Sequence, residues 1–212
     1  MTAKTPVASK AKRKKSAGGT LLELAIIVVV ALLLALAIQA ILIKPYRIPS
    51  PSMEPTLDIN QRVLVNRIGH ELGDTPSVGD IVVFHPPAGA ASNTCGAHVQ
   101  RGQPCSAPTP KESNDNFIKR VVAGPGDTIA IRDGHVVRNG KLQKESFINP
   151  CAPGQDCNFP KAIKVPPDHW FMMGDNRGKS DDSRFWGPIP KKWIIGEAFA
   201  TYWPPSRIGL LG

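Results

Sequence analysis

Two serines two residues apart, Ser50 and Ser52, stand among Pro49, Pro51 and Pro55 in residues 46–57 (YRIPSPSMEPTL). Each proline fixes its own φ and pushes the residue before it towards extended geometry, so a stiff strand or turn is expected that aims a hydroxyl in one direction. A serine hydroxyl is a weak nucleophile at neutral pH and needs a base within hydrogen-bond reach. The five histidines, at 70, 85, 98, 135 and 169, fall in turn-like or irregular contexts and carry no triad signature. Lys119 differs. In residues 117–123 (FIKRVVA), strand alternation places it with Phe117 and Val121 on the apolar face, while Arg120 points the other way with no special role. Burial there disfavours the ammonium form and supplies the neutral amine that a general base requires. The same residues also fit blander roles: a Pro/Ser spacer, and an edge-strand lysine that wards off aggregation.

A third polar cluster, residues 174–187 (GDNRGKSDDSRFWG), is dense in Asp, Asn, Ser and Arg but lacks the residue order of a calcium loop. A scaffolding loop is expected, with Ser180, Asp182 and Arg184 holding Lys119. Cys95, Cys105, Cys151 and Cys157 lie in irregular stretches and permit three pairings. Local pairs, Cys95 with Cys105 and Cys151 with Cys157, are expected outside the cytoplasm. A zinc site is disfavoured because the spacings lack a close C-x-x-C knuckle.

These groups need elements to position them. The chain has 212 residues and a formal net charge of +9, enough for one ordinary domain with appendages. Six of the basic residues, Lys4, Lys10, Lys12, Arg13, Lys14 and Lys15, lie in a tail with no acidic residue. Residues 24–43 (LAIIVVVALLLALAIQAILI) follow, broken only by Gln39. As a helix at about 1.5 Å per residue they span about 30 Å, the thickness of a bilayer core, and they run longer than the apolar part of a cleavable leader. A basic tail beside such a run points to anionic lipid and a cytoplasmic N-terminus rather than to nucleic acid. The expected organisation is a basic cytoplasmic tail over 1–20, a transmembrane helix over 21–43 and an extracytoplasmic catalytic domain over 44–212.

That domain reads as mostly β. Residues 61–67, 80–84, 117–123, 169–173 and 194–203 are short Val-, Ile- and aromatic-rich runs bounded by Gly and Pro, the signature of strands. Asp133-Gly134 and Asn139-Gly140 predict tight hairpins inside a meander. Residues 85–116 read as a long surface insertion, and 141–166 as irregular. The expected fold class is an antiparallel β-sheet catalytic domain with a small β subdomain at about 128–168, preceded by one N-terminal transmembrane helix.

Four segments in order behind the anchor, IPSPSMEPTL, GDIVVF, FIKRVVAGPGD and GDNRGKSDDSRFWGPIP, resemble the boxes of the type I signal peptidases, membrane-bound serine proteases of the Ser/Lys type. The resemblance implies Ser52 as nucleophile and neutral Lys119 as base, and an oxyanion hole of the Ser52 backbone N–H and the Ser50 hydroxyl. It implies that Ser180 orients the amine with support from Asp182 and Arg184. Ile48, Pro49, Met53, Leu57, Phe117 and Ile118 match positions lining apolar pockets for small residues before an A-x-A-like cleavage point. The implied partners are secretory preproteins and the lipid bilayer, close to the secretion translocon, with no nucleic acid, cofactor or metal. The short stretch between FIKRVVAGPGD and the final segment implies a small second subdomain, and Glu54 stands where the family often has an apolar residue. Self-cleaving repressors of the DNA-damage response share the Ser/Lys logic but carry a DNA-binding region in place of an anchor. An anchored, non-enzymatic binding module is the remaining alternative.

Overall fold

The structure, a computed structural model, describes residues 17–71 and 73–211, with the side chains of 17–20, 37–41, 70 and 71 left aside. Most of the tail expected over 1–20 therefore lies outside the described residues. The chain divides into two units, Met1–Ile41 and Leu42–Gly212.

In the first, helix α1 runs Ala17–Leu42, 26 residues rich in Leu, Ile, Val and Ala. It begins before the expected start at 21 and yields Ile43 to the strand that follows. Leu24 to Leu36 present exposed apolar side chains throughout. Among the described residues no helix is long and apolar enough to cross a membrane.

The second unit is mostly antiparallel β. Its strands are β1 (Ile43–Arg47), β2 (Arg62–Asn66), β3 (Ile81–Phe84), β4 (Phe117–Ala123), β5 (Thr128–Arg132) and β6 (His135–Arg138). They continue with β7 (Lys141–Leu142), β8 (Phe159–Lys164), β9 (His169–Met173), β10 (Ile189–Pro190), β11 (Ile194–Trp203) and β12 (Gly209–Leu210). One sheet runs β1-β2-β11-β3-β4-β9-β10, with β12 against β11; a smaller one runs β7-β6-β5-β8. The small sheet turns where expected: Asp133-Gly134 has φ of 51° and 82°, and Asn139-Gly140 has φ of 52° and 75°. Both residues of each pair occupy the positive-φ region that a type I′ turn demands.

Strand β8 lies inside the stretch expected to be irregular. Only Phe159 and Ile163 of its six residues are buried, and Pro160 sits on its outer edge, so the apolar pattern is too thin to announce a strand. Arg120 also departs from expectation. Both faces of β4 are buried, because the strand lies between β3 and β9 near the middle of the large sheet, so alternation does not separate wet from dry. Arg120 is buried with the strand and finds a buried partner, described below.

Three apolar clusters underlie these sheets. One packs Ile48, Met53 and Leu57 against Val63, Val65 and Ile118 beneath the Pro/Ser segment. Another gathers Phe84, Trp170, Met172 and Trp186, and the third joins the small sheet to β9 through Ile129, Ile131, Phe159 and Phe171. The 85–116 insertion is irregular apart from the turn Ala90–Ser92, and it docks on the domain: Cys105 is buried and its N–H donates to the Arg184 carbonyl at 2.9 Å. Disulfides join Cys95 to Cys105 and Cys151 to Cys157.

Candidate active site

The prolines do locally what their stiffness suggests. After β1 the chain passes through Ser50 (φ −133°, ψ 159°) and enters a single 3-10 turn, Pro51–Met53, with Pro51 at its first position. Ser52 and Met53 on that turn are buried. The Ser52 Oγ lies 2.5 Å from Lys119 Nζ and 3.2 Å from Ser50 Oγ. The chain thus brings a hydroxyl, an amine and a second hydroxyl together across 67 residues of sequence.

Lys119 is 4% exposed and sits 5.7 Å from the centroid of the Phe117 ring. Burial lowers its pKa to about 8; the charges of Asp182 and Asp181 act to raise it, Arg184 to lower it, and Asp175 raises it least. An amine with that pKa is substantially neutral just above physiological pH and can accept a proton from Ser52.

The support comes from the loop after β9. Burial alone would raise the Asp182 pKa, but the Arg184 guanidinium, with hydrogen bonds from Arg184 and the Gly174 N–H, holds its carboxyl below the usual range. Arg184 Nε donates to Asp182 Oδ1 at 2.7 Å and Arg184 Nη2 to Oδ2 at 2.9 Å. The same Nη2 reaches the carbonyls of Arg177 and Ser180, so one guanidinium closes the loop on itself. Ser180 lies in that loop, and its buried Oγ has no hydrogen-bond partner among the described residues, Lys119 included. Gly174 permits the close approach: a Cβ there would collide with Ser180 Oγ and with the Ser52 carbonyl oxygen.

Several residues at the site went unread in the sequence. Asp175 accepts from Arg120 Nε at 2.9 Å and Nη2 at 2.8 Å, and from Thr56 Oγ1 at 2.5 Å. Phe147 lies over the Arg120 guanidinium at 4.1 Å. Asn176 donates its N–H to the Ser52 carbonyl at 3.0 Å and its Nδ2 to the Pro51 carbonyl at 3.1 Å. Arg177 pairs with Glu145, Nη2 to Oε1 2.6 Å, tying the loop to the connection after the small sheet. Charged and amide residues in GDNR were the available signal, but their partners are more than a hundred residues away for Thr56 and Pro51.

A cleft of about 460 Å³ opens at this point, lined by Ile48, Pro49, Ser50, Ser52, Phe117, Ile118 and Lys119, with Arg47, Asn116, Lys179 and Asp181 among the polar residues around it. Met53 and Leu57 do not line it; both are fully buried in the cluster beneath. Arg184 and Asp182 lie outside the lining as well, as does Ser180. No described histidine side chain lines the cleft. Among the described residues no group of His, Cys, Asp and Glu is arranged to hold a metal ion.

The family model of "Signal peptidase, peptidase S26" matches residues 21–203. The chain belongs to the signal peptidase S26 family. It is 38% identical over 200 residues to "Probable signal peptidase I-2" of Synechocystis sp., covering 94% of this chain and 81% of that one. It is 36% identical over 211 residues to "Signal peptidase I" of Leptolyngbya laminosa, covering 100% of this chain and 94% of the relative. Similarity extends to "Probable thylakoidal processing peptidase 2, chloroplastic" of Arabidopsis thaliana, at 37% over 179 residues, 84% of this chain and 43% of the relative. The chain is therefore a hydrolase, a serine peptidase of a family that acts on the signal peptides of preproteins.

Proposed function

We propose that this signal peptidase cleaves N-terminal signal peptides after an A-x-A-like site with Ser52 as nucleophile and Lys119 as general base. The observation that carries the reading is the 2.5 Å contact between two buried side chains, Ser52 Oγ and Lys119 Nζ. An extended substrate enters the cleft between the 46–49 and 116–119 segments, where Ile48, Pro49, Phe117 and Ile118 meet small side chains. Met53 and Leu57 shape those pockets from below by fixing the Pro/Ser turn on the core.

The Ser52 Oγ attacks the scissile carbonyl carbon as its proton passes to the lone pair of Lys119 Nζ. The carbonyl becomes an oxyanion, received by the Ser52 N–H and the Ser50 hydroxyl. When the C–N bond breaks, Lys119 returns the proton to the leaving amine and the acyl group remains as an ester on Ser52. Water then attacks the ester; Lys119 takes its proton and passes it back to Ser52 Oγ, which leaves as the free hydroxyl. Asp182 and Arg184 act on Lys119 rather than on substrate, through their charges, and Ser180 supplies a buried hydroxyl on the same loop that is free to receive the ammonium form.

α1 is the membrane anchor in this reading. Its 26 residues correspond to about 39 Å at about 1.5 Å per residue, and its apolar centre is uninterrupted from Leu24 to Ile38. The basic residues before it place the N-terminus in the cytoplasm and residues 44–212 outside, a single-pass arrangement in the cell membrane beside the secretion translocon. Disulfides on the exported side agree with that compartment.

Purified Ser52→Ala and Lys119→Ala chains, assayed on a preprotein with an A-x-A site, are expected to be inactive while folded. Cleavage at the wild-type rate by either variant overturns the mechanism. Membranes washed at high pH are expected to retain the full chain and release a chain lacking residues 1–43; release of the full chain overturns the anchor.

A further inference from the structure

Asn176 is the residue the catalytic reading does not use. It is 2% exposed, it does not line the cleft, and it grips the nucleophile turn twice. Its backbone N–H donates to the Ser52 carbonyl, and its Nδ2 to the Pro51 carbonyl, which also accepts the Glu54 N–H at 3.1 Å. Both lone pairs of the Pro51 oxygen are therefore engaged, which fixes the direction of that carbonyl. The Pro51–Ser52 peptide is not among the cis bonds of the chain, so its C=O and the Ser52 N–H point to opposite sides of one rigid plane. A carbonyl held towards Asn176 turns the Ser52 N–H away from it.

We propose that Asn176 is a positioning residue that aims the Ser52 backbone N–H at the developing oxyanion. The inference rests on Ser52 being the nucleophile and names what orients the main-chain donor beside it. Asn176 is itself held: its flanking residues bracket Asn149, whose N–H donates to the Asp175 carbonyl at 2.9 Å and whose carbonyl accepts the Arg177 N–H at 3.0 Å. The strand-like bridge between Asn149 and Asn176 carries the small-sheet connection into the active site. Preorganised donors stabilise the transition state more than the bound substrate, so misaiming one slows turnover without weakening binding.

The test uses the full chain in detergent, with Asn176→Ala and the near-isosteric Asn176→Asp, which keeps the backbone bond to Ser52 and loses the Nδ2 donor. Expected is a fall in kcat of about 10- to 100-fold, below or at the effect of deleting one oxyanion donor. KM should stay within about two-fold, and in the uncharged Asn176→Ala the pH midpoint of kcat/KM should not move, whereas the added carboxylate of Asn176→Asp acts to raise it. Affinity for a peptide aldehyde, whose adduct with Ser52 bears the oxyanion, should fall by the same factor as kcat, while affinity for an uncleavable peptide analogue holds. Unchanged kcat in Asn176→Asp overturns the inference, as does a loss confined to KM, or unfolding of both variants, which would make Asn176 merely structural. Ser52→Ala separates the layers: if it remains active the underlying mechanism fails, and if it is inactive while Asn176→Asp is unimpaired only the role of Asn176 fails.

Discussion

Lys119 sits on a seven-residue strand paired on both sides, and its altered chemistry comes from burial between two sheet neighbours. Ser52 sits on a three-residue turn whose shape is set by proline and by donors from the loop after β9. In the proposed mechanism regular structure makes the base, and long-range hydrogen bonding makes the nucleophile. The base side should thus respond to charge and burial, and the nucleophile side to hydrogen-bond geometry.

Replacing either reacting group gives the largest expected effect and also separates the two regions. Ser52→Ala and Lys119→Met should each reduce kcat by about 10³-fold or more. Only Lys119→Met should stabilise the fold. The folded pKa of about 8 lies below the ordinary 10.5, so the unfolded chain binds more protons between those values. The folded state gains stability as pH rises from about 8 to 10.5, and the buried amine costs most below pH 8, by roughly 3 kcal/mol at most. The advantage of Lys119→Met in urea denaturation should accordingly shrink across that window, and an advantage that grows with pH would break the contrast.

Next in size are two of the buried ion pairs. Asp175→Asn strands Arg120, and Asp182→Asn strands Arg184; each should cost about 3 kcal/mol in denaturant unfolding. Their kinetics should diverge. Asp182 is the charge that most raises the Lys119 pKa and Asp175 the one that raises it least, so Asp182→Asn should lower the pH midpoint clearly and Asp175→Asn should chiefly lower kcat. Equal midpoints in the two variants would erase the distinction between the regions.

In the wild type, kcat/KM should rise with pH through about 8 as Lys119 loses its proton. Asp181→Asn should move that midpoint down, with little change in stability because Asp181 is exposed. The smallest effect belongs to Asn93→Ala. Asn93 Nδ2 donates to Asp181 Oδ1 at 2.9 Å from the 85–116 insertion, and losing this exposed bond should change stability by about 0.5 kcal/mol or less. A midpoint that follows Asp181→Asn would show that the insertion helps hold that charge in place.

The same contrast explains what was legible in the sequence. β4, the paired turns at Asp133 and Asn139, and the strands around them follow from alternation and turn chemistry, which are local. The disulfide pairs follow from proximity along the chain. The stiff Pro/Ser turn was legible too, as was the apolar setting of Lys119. Arg120 was not, because alternation assumes one wet face and β4 has none. Asp175, Asn176 and Thr56 were hidden for another reason: their meaning lies in partners 119 and 125 residues away, which no spacing rule reaches. Met53 and Leu57 read as pocket residues from their motif, but a motif records position and not which way a side chain faces, and both point into the core.

Ser180 has a consequence for how the peptidase spends its cycle. A buried hydroxyl without a partner costs on the order of 1–3 kcal/mol, and the resting protein bears that cost beside Ser52, with only the absent side chain of Gly174 between them. A neutral amine asks little of its surroundings, whereas an ammonium ion in a dry site needs oxygen atoms around it. Lys119 is such an ion at rest below about pH 8, and in the proposed cycle it becomes one twice, on taking the proton of Ser52 and again on taking that of the attacking water. In the proposed mechanism Ser180 is a hydroxyl held in reserve, idle at rest and available to solvate a charge on Lys119 in the intervals when one forms.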